Sequence, residues 1–539
     1  DIRMKFGNAL LALLMAASAL SCNPKAEEGT KHYAPLKNPT KVTLEQVEFS
    51  AVVNVTWQDN CDNESGYAIY VKPANGEEQQ LASLPVDACE YSIKEGLVQG
   101  KSYSIGVRAL SDGPMLSSQI IYKEIALFDY TLLPVPTLAA DVEYTPTSAM
   151  LNYTLGKSEK YNQSAWGLCW SADHTPTLAD SFAHGPKNSS VRLYQAIPCT
   201  GVEFGKTYKV RAYSVTEKGT TYSNEVVEIK LENETPAITF NWTKVEDTSL
   251  PQDIVLYKTT DKLNGRPFNA WYAIADVTKG NVEFRMEFSE KAFTLEDFYK
   301  KDVENGVENY IMTNAGYFNM STGETGDFHV CEGVISPSVP RPTLRGTFGV
   351  DKDQKPAAVW ASRDADKNTF FYDSPMMNIK GKTAYEEPYG DYPTTSVAWT
   401  PYYAMSAGPL LVKDGKVVTD VTKQDGAFVR NYESIAADIF TDTAATPDRT
   451  AVGYTEDGKI ILFVCDGRIT ASKGASILEM GQIMKGLGCV GAVNFDGGGS
   501  TAMTLYGKRV NSFLSNTSGA TENRRARLWA FIRKSKLAL

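Results

Sequence analysis

The sequence predicts a multidomain chain: two N-terminal all-β sandwiches followed by a C-terminal α/β (α+β) domain with a mixed sheet. Three observations predict it. At about 150 residues per domain, 539 residues make room for three or four domains. Short strands separated by polar turns recur in two successive stretches on the same plan. Beyond residue 240 the segments lengthen, and two apolar strands flank a capped helix.

Composition narrows the function classes. With 42% hydrophobic, 11% aromatic and 22% charged residues, the chain reads as folded protein. A net charge of −10 argues against nucleic acid as a partner, because phosphate backbones select basic surfaces. There are four histidines, and of these only His329 lies in the C-terminal half. That half therefore cannot build a His-rich zinc site, and a Ser-His-Asp triad has one imidazole to draw on. Its chemistry falls to carboxylates, arginines, amides and backbone N–H groups.

Residues 1–22 read as a lipoprotein signal peptide: Arg3 and Lys5 precede an apolar run from Ala9 to Leu20, ending in Ser21-Cys22. This arrangement is similar to a bacterial lipobox, with Cys22 as the lipidated residue. Residues 23–40 read as a tether. The expectation is an exported protein anchored by lipid to a bilayer of the bacterial cell envelope, periplasmic or at the surface. Export permits disulfides, and spacing points to Cys61–Cys89 and Cys169–Cys199, one bridge per N-terminal module.

The first module, 41–127, carries strands at Ser50–Trp57, Gly66–Val71 and Lys101–Ala109. The second, 128–235, repeats the plan at Trp166–Trp170 and Gly205–Tyr213. The pair Lys-Ser-Tyr-Ser-Ile-Gly-Val-Arg-Ala and Lys-Thr-Tyr-Lys-Val-Arg-Ala resembles fibronectin type III modules, which implies β-sandwiches. Spacers are the expected role. Trp166, Trp170 and Tyr213 offer an alternative sugar-stacking face.

The third domain, 240–539, carries the chemistry. Lys459–Cys465 is an apolar run that ends at Asp466-Gly467-Arg468. Ser476 and Glu479 form a capping box, followed by an apolar stripe of Ile477, Met480, Met484 and Leu487, with Gly488 as the stop. A second apolar strand, Cys489–Phe495, ends at Asp496-Gly497-Gly498-Gly499-Ser500. This β-α-β unit predicts parallel strands, and so puts Asp466 and Asp496 on one edge of a sheet, where ligands of open sheets bind. Consecutive glycines admit either a backbone cradle for an anion or a contorted turn. A dinucleotide fingerprint requires a helix next, whereas Met503–Val510 reads as strand, turn, strand.

On these residues a family resemblance rests. Val493–Met503, with its Asp-Gly-Gly-Gly-Ser-Thr, resembles the signature of the phosphodiester glycosidase family. Thr313–Phe318, Ser406–Leu411, Asp448–Gly453 and Val464–Arg468 are similar to further blocks of that family, in the same order. The resemblance covers about residues 245–535. It implies a hydrolase that cleaves a sugar-1-phosphate diester, releases the sugar and leaves a phosphomonoester on the second alcohol.

An anionic diester calls for Arg forks or amide donors. The candidates are Arg345, Arg449, Arg468 and one arginine of 524–527, with Arg525 taken, beside Gly497, Gly498, Gly499 and Ser500. Asn314 and Asn494 complete the substrate-binding set. If the sugar C–O bond breaks, Asp496 or Asp466 activates water or steadies the oxocarbenium-like carbon. If P–O breaks, a divalent cation (Ca or Mg) on Asp496, Asp466 and Asn494 is the expectation, although no cofactor is required. The substrate expected is a phosphorylated glycan or cell-wall polymer. The alternatives are a non-catalytic glycan-binding surface lipoprotein and a metal-dependent phosphodiesterase.

Overall fold

The computed structural model describes residues 36–113, 116–185, 192–247, 249–319, 321–322, 324–325, 327–336, 345–363, 368–373, 396–419, 422–424, 427–429, 433, 447–512 and 526–536. The expected signal peptide at 1–22 with Cys22, and Arg525, lie outside them, as does all of the expected tether except 36–40. The chain divides into two compact units. One comprises Asp1–Pro134 with Ser158–Asn162 and Thr216–Thr220, the other Val135–Lys157, Gln163–Val215 and Thr221–Leu539.

In the first unit, alternation along Val53–Gln58 buries Val53, Val55 and Trp57 and exposes the residues between them. This strand lies in a three-stranded sheet, and Gly66–Pro73 and Ser102–Leu110 lie in a four-stranded one. The two share a core with Tyr67, Ile69, Ile105 and Val107, as expected of a sandwich. Leu36 joins that core, so this module begins before the expected boundary at 41.

In the second unit, the repeated plan again yields two sheets, with Gln163–Ser171 and Thr207–Thr216 adjacent in one of them. Trp166, Trp170 and Tyr213 are buried in its core, which removes them as a sugar-stacking face. That core runs on without a break into the C-terminal domain, through residues such as Leu138, Ile197, Leu256 and Val464.

The expected disulfides are absent. Cys61, Cys89, Cys169 and Cys199 are not joined in disulfides. Cys169 Sγ donates to the Arg211 carbonyl of its own sheet, while Cys199 Sγ donates to Val417 O of the C-terminal domain. The two thiols therefore serve different surroundings. Cys61 Sγ is engaged by Lys37 O.

The C-terminal domain is mostly β. Its described residues contain two α-helices, Leu295–Glu304 and Ile477–Gly486. Five strands position the site: β1 (Asn309–Asn314), β2 (Arg345–Val350), β3 (Leu410–Lys413), β4 (Arg449–Thr455) and β5 (Ile460–Cys465), with β6 (Cys489–Asn494) after the second helix. β3, β4, β5 and β6 share an eight-stranded sheet, β1 lies in a five-stranded one and β2 in a seven-stranded one.

The mixed sheet needs correction, because β4 is antiparallel to both β5 and β6. β5 and β6 do run parallel, as the crossover requires, but the β4 hairpin strand separates them. The helix carries the expected Ser476–Glu479 capping box. It lays Ile477, Met480 and Met484 on a core shared with Phe463, Cys465 and Ala492. After β6, Met503–Leu505 and Lys508–Arg509 are strands, as the sequence required.

Candidate active site

The ends of β5 and β6 and the start of β4 meet at one edge of the sheet. Arg449 pairs with Cys465, and Ala451 with Asn494. Beyond the strands, the backbone of Asp448 runs between the two Asp-Gly turns. A Cβ on Gly467 would stand 2.4 Å from Asp448 N, and one on Gly497 would stand 2.6 Å from Asp448 O. The Gly498 amide donates to Asp448 O at 2.9 Å, and Gly498 itself adopts φ +60°. Both glycines of the Asp-Gly pairs are thus required by close backbone approach.

The glycine loop keeps donors in reserve. Among the described residues, the amides of Gly497 and Gly499 donate to no acceptor. Ser500 Oγ is buried without a hydrogen-bond partner. The Arg468 guanidinium lies over the loop, with Nη1 3.5 Å from where a Cβ on Gly498 would sit.

Asp496 stands at the head of this loop. Its amide donates to Ala315 O at 2.9 Å, and its carbonyl accepts from Asn314 Nδ2 at 2.7 Å. Its charge reaches the Tyr317 hydroxyl: burial first, then the Asp496 carboxylate, push that phenol well up, against the pull of Arg345 and Arg449. Tyr317 therefore stays protonated. Its hydroxyl donates to Gly408 O at 2.8 Å and accepts from Asn494 Nδ2 at 3.3 Å. Asn494 Nδ2 also donates to Gly408 O and Phe495 O, which leaves Asn494 Oδ1 as a buried acceptor without a partner.

Two buried guanidiniums complete the group. Arg345 lies 5.9 Å from the Tyr317 ring centroid, donates to Ala407 O at 3.4 Å and has Asp327 Oδ1 at 3.9 Å from its Nε. Arg449 donates from Nε to Ala475 O at 2.8 Å. Burial lowers its pKa to about 10, so it remains a cation at neutral pH.

The two expected carboxylates differ in their surroundings. Asp466 and Asp496 leave the same sheet edge, one after β5 and the other after β6, with β4 between those strands. Asp466 is buried, and its two oxygens accept from Ser512 N at 3.0 Å and Ser512 Oγ at 2.8 Å. Burial raises its pKa against those bonds. Asp466 therefore anchors the chain near Asn511.

Asn314 is likewise consumed by structure: Oδ1 accepts from Thr450 Oγ1 at 2.8 Å and Ala502 N at 3.2 Å. Its expected contact with substrate gives way to a role in holding the Asp496 backbone. Among the alternatives to Arg525, Arg527 donates to Ser289 O and stacks over Phe288. His329 stacks on the same Phe288 ring, and burial lowers its pKa to about 4. Burial also pushes the Cys465 and Cys489 thiols up, which suits inert core cysteines.

Sequence reasoning missed Tyr317, Asp448 and Glu433. Tyr317 was within reach, since it closes the Asn-Ala-Gly-Tyr block. Glu433 has no local signal. It is buried, accepts from the amides of Gly346 and Leu410, and burial raises its pKa to about 7.

Comparison with known proteins bears on this geometry. The profile of the phosphodiester glycosidase family matches residues 308–530. The chain is similar to mouse N-acetylglucosamine-1-phosphodiester alpha-N-acetylglucosaminidase, at 25% identity over 198 residues, covering 36% of this chain and 32% of that protein. The human enzyme of the same name is 24% identical over 203 residues, again 36% of this chain and 32% of its own length. The match thus spans about a third of these relatives. Among solved structures, the zebrafish catalytic domain of that enzyme, auto-inhibited by its pro-peptide, aligns with a TM-score of 0.35 at 18% identity, covering 55% of this chain and 89% of that one. A two-module fibronectin type III segment of chicken tenascin aligns with a TM-score of 0.18 at 15% identity, covering 36% of this chain and all of the segment. Through residues 308–530, the chain is thus similar to the phosphodiester glycosidase family.

Proposed function

We propose that this protein is an exported, lipid-anchored hydrolase that cleaves sugar-1-phosphodiester linkages of the GlcNAc-1-phospho-glycan type. One observation carries the reading: the Asp496 carboxylate stands with Arg345, Arg449 and Tyr317 beside a glycine loop that has unused donors. Guanidiniums and free N–H and O–H donors beside a carboxylate suit an anionic substrate and a base.

In this reading the phosphodiester oxygens lie on the Gly497 and Gly499 amides, Ser500 Oγ and the arginines. Asp496 takes a proton from water, whose oxygen attacks the anomeric carbon. The C1–O bond breaks, its electron pair passes to the phosphate oxygen, and the phosphomonoester leaves as an anion that needs no acid. Tyr317 and Asn494 orient the sugar or the water. No cofactor enters the scheme. The N-terminal sequence supports export and lipidation at Cys22, and the natural substrate is a phosphorylated glycan or cell-wall polymer.

The test is turnover of a GlcNAc-1-phospho-sugar diester in ¹⁸O-water. The reading requires ¹⁸O on the released sugar and none on the phosphomonoester. Label in the phosphate would replace it with P–O cleavage, and binding without turnover would replace it with a glycan-binding role.

A further inference from the structure

Glu433 joins two sheets at a point just behind the anion-binding groups. Its Oε1 accepts from the Gly346 amide of β2, and its Oε2 accepts from the Leu410 amide of β3 at 2.6 Å. β2 belongs to the seven-stranded sheet and β3 to the eight-stranded one. No ladder pairing joins these strands in the described residues, so the carboxylate spans a seam.

Both ends of that span lead to the site. Gly346 follows Arg345, whose guanidinium stands over Tyr317. Leu410 follows the Ala407–Pro409 turn. In that turn Ala407 O holds Arg345, and Gly408 O holds both Tyr317 and Asn494. Two N–H donors facing two carboxylate oxygens favour the ionised form, because each of those hydrogen bonds is stronger to a charged oxygen. The seam has no slack: a Cβ on Gly346 would stand 2.7 Å from Leu410 N. Among the described residues, Arg345 is a charged group facing Glu433, and Trp360 supplies an indole.

We propose that Glu433 is a positioning residue of the anion subsite, stapling β2 to β3 so that the Arg345 guanidinium is held over Tyr317. This rests on the proposed function, since it assumes that Arg345 meets a phosphate oxygen. Glu433→Gln puts an amide NH₂ against a backbone N–H, which opens the staple while conserving volume.

The experiment is calorimetric titration of the full chain with inorganic phosphate at pH 8, using wild type, Glu433→Gln, Arg345→Ala and the double variant. Circular dichroism checks that each is folded. Arg345→Ala and Glu433→Gln should each weaken binding about tenfold, the size of one charge-assisted hydrogen bond. In the Arg345→Ala background, Glu433→Gln should then change affinity less than twofold. A loss of equal size in both backgrounds, or no loss in either, overturns the proposal. If Glu433→Gln does not fold, Glu433→Asp keeps the charge but reaches only one amide, and its smaller loss must also vanish without Arg345. Failure of folded wild type to bind phosphate would instead remove the functional reading on which the staple depends.

Discussion

Asn314 holds Asp496 by its backbone: its Nδ2 donates to the Asp496 carbonyl at 2.7 Å, while its Oδ1 takes the Thr450 hydroxyl and the Ala502 amide. One buried amide thus ties β1, β4 and the far side of the glycine loop together.

Replacing Asn314 with Ala removes three hydrogen bonds and leaves buried donors and an acceptor unpaired. The expected cost is about 3 kcal/mol of stability, with kcat falling because Asp496 loses its place. Urea unfolding measures the first, and an unchanged midpoint would contradict the role assigned to Asn314.

Asp466→Asn separates an anchor from a catalyst. Its oxygens meet Ser512 N and Ser512 Oγ, so the amide variant should lose about 1–2 kcal/mol of stability. Turnover per folded molecule should stay within about threefold of wild type. A loss of a thousandfold or more would return Asp466 to the reaction.

Why the sequence revealed some of this and not the rest follows from the range of each signal. The capped helix at Ser476, the strands around it and both Asp-Gly turns depend on local periodicity and capping, and the structure contains them. The sheet order does not: β4 inserts between β5 and β6 because it forms a hairpin with β5, which a β-α-β pattern leaves out. That insertion puts a strand between the two Asp-Gly turns at their shared edge. The disulfides failed for a similar reason, since spacing along the chain is silent about which way a thiol points. Glu433 is visible only once two sheets are brought together.

His329 makes acid stability testable. Burial, with the Arg363 and Arg527 charges, lowers its pKa from 6.5 to about 4, a difference of about 3 kcal/mol between protonation states. The unfolded chain therefore takes up this proton first. The contribution is complete above about pH 6.5 and lost as pH falls through 4. His329→Phe, which keeps the stacking on Phe288, should flatten the stability profile across that window. Parallel profiles for variant and wild type would refute the assignment.

The second sandwich and the C-terminal domain share more than a linker. Lys416 Nζ donates to Cys199 O at 2.9 Å and to Val202 O at 3.0 Å, beside a common apolar core. Lys416→Met should lower stability by about 1–2 kcal/mol. A chain beginning at residue 236 should melt well below the longer protein. Equal melting temperatures would show the module to be a passive spacer.

Asp496→Asn reads the central claim most directly, through the turnover number on a GlcNAc-1-phospho-sugar diester. With one carboxylate acting as base, the variant should lose about a thousandfold or more in kcat while still binding inorganic phosphate within about threefold of wild type. Turnover equal to wild type would contradict the account.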